Sequence, residues 1–238
     1  MKVVGADCCS GGWFAVSIID GVEWKTSIFP DIITLWKNSK DTSLILIDIP
    51  IGLREKGTKE RLCDIEARKL LGRKRAMSVF PVPCRGALYA QNYKEACSIN
   101  ERITGRKLTI QTWNIIPRIR EVDVLISKEI SARSKIREIH PEVCFWALWG
   151  EPMKYSKKID LGFFERKELL KSIFPYTDDI INHSLYTYRR KEVKKDDILD
   201  ALVAAVTATG GSDALASIPQ RPEIDKKGVT MEMVYLKT

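Results

Sequence analysis

The sequence contains only two histidines, His140 and His183, and six cysteines, none of which forms a Cys-x-x-Cys pair. Zinc sites need clusters of these side chains at short spacing, and a disulfide framework needs a higher density of cysteine. The sequence therefore argues against both. We expect the cysteines to be buried free thiols, as in proteins of reducing compartments.

Long apolar runs are also missing. Asp7 interrupts the apolar N-terminal segment, and Asp200 interrupts ILDALVAAVTA, the most apolar stretch near the C-terminus. The first is too short for a signal peptide and the second is too short to span a bilayer. We therefore expect a cytoplasmic protein that makes no use of a membrane.

The chain has 238 residues, of which 45% are hydrophobic and 29% are charged, as in an ordinary soluble domain. Lys and Arg number 39 against 31 Asp and Glu, which gives a net charge of +8. The excess lies in residues 51–139, which contain 20 basic and 10 acidic side chains. This distribution favours a polyanionic partner for the middle of the chain, with nucleic acid as the expected one.

Periodicity in the first fifty residues predicts three strands joined by turns, then a short helix capped by Asp31. The following run SLILIDI, residues 43–49, is apolar at almost every position. Such runs are typical of central strands that are covered on both faces and lie parallel to a neighbour. Residues 137–145 predict a further strand with an irregularity at Pro141.

Later segments predict a helix of small apolar residues over 196–209 and a last edge strand over 228–236. Prolines and helical patterns fill residues 51–133. We therefore predict one α/β domain over residues 1–238, with a mixed central sheet flanked by helices. The basic residues 51–133 form a helical insertion between core strands in this prediction.

Five carboxylates stand out by their positions on these elements: Asp7, Asp48, Glu142, Asp197 and Asp200. Asp7 and Asp48 come at the carboxyl ends of predicted strands, where α/β sheets gather their sites. Asp197 and Asp200 are three residues apart and share one helix face. The alternatives are a turn contact for Asp7, a turn before Pro50 for Asp48, solvent exposure for Glu142, and helix capping by the late aspartates.

Carboxylates that converge without histidine or cysteine form a hard oxygen site, which suits Mg²⁺ or Mn²⁺. We expect Asp7, Asp48 and Asp200 to hold the metal. Two such ions about 3.5–4 Å apart can activate water and stabilise the leaving oxygen of a phosphodiester. His140 is an additional candidate for a general base, although a structural hydrogen bond is the commoner role for a lone histidine beside proline.

Seven basic residues are candidate contacts to a nucleic-acid backbone. Each taken alone is an ordinary surface charge, and the positive balance of the middle segment is what favours a phosphate-binding role. They are Arg61, Arg68, Arg73, Arg75, Arg85, Lys157 and Lys158.

The order of several motifs resembles the domain of unknown function 429 family, whose members are described as predicted nucleases of the RNase H fold. The resemblance covers nearly the whole chain, and it depends on the order of the motifs, each of which is weak alone. They are GAD…GGW (5–13), IDIPIGL (47–53), RLCDIEARKLLG (61–72), SVFPVPCRGA (78–87), IREVD (119–123), EIHPEVCFW (138–146) and DDILDALVAA (196–205).

The resemblance implies an RNase H-like fold, similar to that of RuvC-type Holliday-junction resolvases, with acids on the first strand, the fourth strand and a late helix. Those roles fall on Asp7, on Asp48, and on Asp197 with Asp200, and Glu142 matches the family's His-Pro-Glu motif. The expected function is metal-dependent hydrolysis of DNA or RNA. A non-catalytic nucleic-acid-binding protein on this scaffold is the first alternative, and a phosphotransferase of the actin and sugar-kinase type is the second.

Overall fold

A five-stranded mixed sheet forms the centre of the computed structural model, which describes residues 1–237. The strands are β1 (Lys2–Cys9), β2 (Gly12–Ile19), β3 (Glu23–Phe29), β4 (Leu44–Ile47) and β5 (Ile136–Glu138). Their order across the sheet is β3-β2-β1-β4-β5. The first three strands form an antiparallel meander, and β4 lies parallel to both β1 and β5. The prediction of a central, parallel strand in SLILIDI is confirmed.

Helices precede, separate and follow the later strands. They are α1 (Ile32–Asn38), α2 (Leu62–Arg75), α3 (Tyr93–Thr104), α4 (Ile110–Lys128), α5 (Ile130–Lys135), α6 (Pro141–Trp149), α7 (Asp160–Ile173), α8 (Thr177–Thr187) and α9 (Lys195–Ala208). The chain between β4 and β5 thus contains four of them, α2 to α5. The cap predicted for the first helix is confirmed, because Asp31 accepts a hydrogen bond of 2.7 Å from the Thr34 amide.

Strand alternation divides the hydrophobic core between the two faces of the sheet. On one face, Val3 and Leu46 pack against α6 to α9. On the other, Val4 and Ile47 pack against α1, α3, α4 and α5. The strands are therefore covered on both faces, which explains why β4 is apolar throughout.

One part of the predicted strand pattern is wrong. Residues 137–145 do not continue as a strand, because β5 ends at Glu138 and Pro141 begins α6. Proline suits the first helical turn, where its missing N–H leaves no hydrogen bond unmade. The prediction of a last edge strand in the tail is confirmed by β7 (Thr230–Leu236), which pairs with β6 (Leu215–Ile224) in a separate two-stranded sheet.

The six cysteines are free thiols, four of them buried, as the sequence predicts. Over residues 1–237, the helices are all too short or too polar to traverse a lipid bilayer.

Helix α9 crosses β1 in unusually close contact at Gly5. A Cβ atom placed on Gly5 would lie 2.0 Å from the Ala205 amide nitrogen and 2.3 Å from the Ala201 carbonyl oxygen. Only glycine permits backbone to approach backbone so closely. The small residues of α9 and Gly5 together set the distance between this helix and the centre of the sheet.

Replacement of Gly5 by alanine is expected to lower the free energy of unfolding by about 1–3 kcal/mol or more, because the added methyl group forces α9 away from β1. Urea unfolding followed by circular dichroism measures the change. Gly86→Ala is the matched control, since its added Cβ would have no neighbour closer than 3.4 Å. Equal stability of the two variants would contradict this account of the packing.

Candidate metal centre

Asp7 and Asp48 lie side by side because they follow paired positions of two parallel strands. Ala6 of β1 is opposite Ile47 of β4, and the Asp48 amide donates a hydrogen bond of 3.1 Å to the Ala6 carbonyl. Alternation along β1 places Asp7 on the same face as Val3 and Gly5, which is the face covered by α9. The expectation that these carboxylates meet at the carboxyl ends of neighbouring strands agrees with the structure.

Asp200 reaches the same place from α9. It is the residue before Ala201, whose carbonyl lies over Gly5 of β1. The close contact at Gly5 therefore brings the Asp200 carboxylate against the ends of β1 and β4. Its side chain is 2% exposed, in the interior of the protein.

The three carboxylates form one cluster. Asp7, Asp48 and Asp200 each contribute one oxygen, and all three oxygens lie within 4.8 Å of one another. The Oδ1 atom of Asp200 is buried and has no hydrogen-bond partner. A buried acceptor without a donor is costly unless a cation or water completes it. These hard oxygen donors fit a divalent cation such as Mg²⁺ or Mn²⁺.

Burial and mutual repulsion make this cluster hard to ionise in full. Burial, followed by the charges of Asp48 and Asp200, raises the pKa of Asp7 well above its usual range. Burial also raises the pKa of Asp48 to about 6 and the pKa of Asp200 to about 6, although Lys157 opposes the shift in both. Concentrated negative charge of this kind is characteristic of functional sites rather than of structural packing.

Lys157 is the cation of the cluster. Its Nζ atom forms an ion pair with Oδ2 of Asp200. Burial by itself lowers the pKa of Lys157, but the charges of Asp200, Asp7 and Asp48 outweigh it and raise the pKa well above its usual range. The sequence predicted Lys157 to bind phosphate, whereas the structure places it against a carboxylate.

Glu142 lies next to this cluster but belongs to a different interaction. It is in the first turn of α6, and its carboxylate accepts hydrogen bonds of 2.7 and 2.8 Å from Nη2 of Arg166. Arg166 also donates to the Tyr155 carbonyl, two residues before Lys157. The sequence predicted Glu142 to be a catalytic carboxylate. In the structure both of its carboxylate oxygens pair with the buried guanidinium of Arg166, so any contribution of Glu142 to the site is indirect.

Asp197 caps its own helix. Its Oδ2 atom accepts a hydrogen bond of 2.8 Å from the Lys194 amide at the start of α9. Burial raises the pKa of Asp197 to about 6, with the charges of Asp196 and Asp200 adding to the shift. The capping alternative therefore describes Asp197, and Asp200 is the residue of this pair that joins Asp7 and Asp48.

The predicted nucleic-acid contacts of Arg61 and Arg85 are wrong, because both side chains are buried in ion pairs. Arg61 binds Asp64 and Glu138, with its shortest contacts at 2.6 and 2.7 Å. Arg85 pairs with Glu55, Asp123 and Asp225. A buried guanidinium with several acidic partners has no free donor face for a phosphate.

The remaining basic candidates differ in their exposure. Arg68 is half-buried and pairs with Glu60. Arg75 donates hydrogen bonds of 3.0 and 3.1 Å to the carbonyls of Met153 and Lys154. Arg73 and Lys158 are exposed to solvent. Arg75 therefore joins the end of α2 to the segment that leads to Lys157.

His140 precedes α6 and lines a cavity of about 20 Å³ together with Asp48. Its Nδ1 atom is buried and has no hydrogen-bond partner. Burial lowers the pKa of His140, which favours the neutral form of the imidazole. A cavity of this volume is large enough for one water molecule.

Arg166 is the residue of this region that the sequence analysis missed. Its side chain is fully buried, with the guanidinium 5.5 Å from the centre of the Phe145 ring. A signal was present, because helical spacing places Arg166 on the same face as Gly162 and Leu170, which are also buried. A charged residue on the apolar face of a helix indicates a buried ion pair, although its partner Glu142 is not apparent from spacing.

The family model for protein of unknown function DUF429 matches residues 5–224 of this chain. The chain belongs to that family. The matched range contains the cluster of Asp7, Asp48 and Asp200 as well as Lys157. Searches of curated proteins and of solved structures found no match.

Between about pH 4 and pH 6, the free energy of unfolding of the metal-free protein is expected to fall as pH rises. Asp48 and Asp200 have a pKa of about 6 when folded, against 3.8 ordinarily, so the folded state retains protons that the unfolded state has released. Asp48→Asn should add about 1–3 kcal/mol at pH 7.5 in chelator, because it removes one buried charge. Chemical denaturation across this pH range measures both effects.

In the same chemical denaturation, Mn²⁺ should raise the free energy of unfolding of the wild type and have little effect on that of Asp48→Asn, because binding to the folded state alone is stabilising. Asp213→Asn, at an exposed position outside the cluster, is the control and should behave as the wild type. A wild type whose stability is independent of both pH and Mn²⁺ would contradict the assignment of the cluster.

Proposed function

We propose that this protein is a divalent-metal-dependent nuclease that hydrolyses phosphodiester bonds of DNA or RNA. The observation that supports it most is the cluster formed by Asp7, Asp48 and Asp200, with oxygens within 4.8 Å of one another. The unpartnered Oδ1 atom of Asp200 adds to it. Three carboxylates this close together repel one another, and a structural role offers nothing to offset that repulsion. Binding of a cation would offset it.

The strand order also favours this proposal. An antiparallel meander followed by two parallel strands, in the order β3-β2-β1-β4-β5, is the arrangement expected of an RNase H-like sheet. In that arrangement, acidic residues of the first strand, the fourth strand and a late helix meet at one edge. Asp7, Asp48 and Asp200 occupy these positions, so fold and site support the same class of hydrolase.

The roles of the residues follow from their contacts. Asp7, Asp48 and Asp200 would hold Mg²⁺ or Mn²⁺, which when bound activates water and stabilises charge on a phosphodiester. Glu142 and Arg166 hold the segment that carries Lys157, whose ammonium offsets part of the negative charge. His140 lies near Asp48, but burial lowers its pKa and so makes its imidazole a weak base, and we assign it no proton transfer.

An exposed basic surface beside the cluster is the proposed contact for the nucleic-acid backbone. Arg73 and Lys74 end helix α2, and Lys154 and Lys158 flank Lys157 in the following segment. Arg75 ties these two segments together through the carbonyls of Met153 and Lys154. This surface replaces the buried Arg61 and Arg85 of the sequence-based interpretation.

Purified wild-type protein with Mg²⁺ or Mn²⁺ should cleave at least one of a panel of single-stranded and structured DNA and RNA substrates, and chelator should abolish cleavage. Asp48→Asn should reduce the rate at least about a hundredfold, because it removes a ligand of the proposed metal. Asp213→Asn is the control and should retain the wild-type rate. Cleavage that is unchanged in Asp48→Asn would assign the activity to a contaminant.

Binding and stability measurements on the same protein would distinguish the two alternative functions. Salt-sensitive binding without cleavage, unaffected by chelator, would indicate a nucleic-acid-binding protein that lacks catalysis. Stabilisation by ATP with Mg²⁺, and none by nucleic acid, would favour a phosphotransferase.

Arg73→Glu combined with Lys74→Glu should weaken nucleic-acid binding, because two cations beside the site become anions. The log–log dependence of the binding constant on salt should also become less steep, by about 0.9 for each duplex phosphate that the protein no longer neutralises. Fluorescence anisotropy over a series of salt concentrations measures both. Lys25→Glu with Lys37→Glu, two exposed positions on β3 and α1, changes the net charge equally and should have a smaller effect. Equal weakening in both double variants would indicate attraction by net charge alone.

A further inference from the structure

The ammonium of Lys157 lies within the negative charge of the carboxylate cluster. It forms an ion pair with Asp200, and its charge also acts on Asp7 and Asp48. The lysine therefore occupies part of the space and offsets part of the charge that a bound cation would otherwise take. Its presence limits the positive charge that metal ions can add to the cluster.

The charges of the cluster limit how many divalent ions it accommodates. Three ionised carboxylates and one ammonium leave a deficit of two positive charges, which one divalent cation supplies. A second divalent cation would exceed the negative charge of the cluster by two, and by one if nearby Asp197 is also ionised, in a region where Asp7 and Asp200 are buried. Uncompensated charge in a buried site is strongly unfavourable.

We propose that Lys157 takes the place of one of the two cations of a dinuclear site, so that the cluster binds a single divalent ion. This inference rests on the proposed metal-dependent function and specifies its metal content. It replaces the expectation of two ions, which considered the carboxylates without the lysine.

Lys157 is held in place by its surroundings, unlike an ordinary surface lysine. Arg166, paired with Glu142, donates a hydrogen bond of 3.0 Å to the Tyr155 carbonyl. On the other side, a Cβ atom placed on Gly162 would lie 2.0 Å from the Ser156 carbonyl oxygen, so α7 packs directly on this segment. The backbone immediately before Lys157 is thus restrained on both sides.

This restraint assigns Glu142 and Arg166 a positioning role. Neither joins the three clustered carboxylates, yet both determine where the segment carrying the ammonium lies. A fixed ammonium loses less conformational entropy on pairing with a carboxylate than a mobile one does. The cluster is therefore built for one resident positive charge in addition to an exchangeable ion.

The test measures Mn²⁺ binding to the metal-stripped full-length protein by calorimetry and by electron paramagnetic resonance. Only ions that Asp48→Asn fails to bind are counted as bound at the cluster. The wild type should bind one Mn²⁺, with the hyperfine pattern of an isolated ion. Lys157→Met should bind a second, magnetically coupled ion, or bind the first at least about tenfold more tightly, because one competing positive charge is removed.

Two control variants separate the ammonium from general effects. Lys158→Met removes an exposed lysine next in sequence and should leave stoichiometry and affinity unchanged. Lys157→Arg retains the charge and should keep the single ion. If Lys157→Met does not fold, the wild-type stoichiometry with that of Lys157→Arg decides the question.

The wild type binding two ions at the cluster, or none, would overturn the inference, as would a folded Lys157→Met with unchanged stoichiometry and affinity. These results are distinct from failure of the proposed function. Two bound ions with metal-dependent cleavage would retain the nuclease and reject the role of Lys157. One bound ion without cleavage of any substrate would retain the role of Lys157 and reject the nuclease.

Discussion

The contact between helix α9 and strand β1 at Gly5 is the constraint on which the rest of this structure depends. Backbone meets backbone there, with a hypothetical Cβ only 2.0 Å from the Ala205 amide nitrogen. The helix cannot approach so closely over any larger residue. Because Asp200 is adjacent to this contact and Asp7 is two residues beyond it, the same packing that closes the core also assembles the carboxylates.

The cluster concentrates negative charge at a cost in stability, and the surrounding residues limit that cost. Lys157 pairs with Asp200, while Arg166 neutralises Glu142 close by. The remaining deficit of positive charge is what would attract a cation to the site. The charge that would attract a cation is thus the same charge that lowers the stability of the metal-free protein, as is common at sites that trade stability for function.

Net charge along the chain proved a poor guide to which basic residues face solvent. The middle segment is rich in Arg and Lys, yet Arg61 and Arg85 bind the buried acids Glu138 and Asp123 within it. Arg61 joins α2 to Glu138 at the end of β5, and Arg85 joins three elements through Asp123, Asp225 and Glu55. Arg61 thus ties the start of α2 to the sheet, whereas Arg85 ties α4 to the residue that follows β6. The net charge of a segment does not distinguish basic residues in buried ion pairs from basic residues exposed to solvent.

Local patterns in the sequence determined the strands β1 to β4, the cap of α1, the apolar character of α9 and the positions of Asp7 and Asp48 at strand ends. These features depend on neighbours a few residues away, so periodicity and turn residues suffice to predict them. The tertiary structure alone decided which acids meet. Glu142 turned towards Arg166, and Lys157 entered the cluster. Each of these outcomes depends on pairing between charges distant in the chain, and burial selects such pairs only once the helices have packed on the sheet.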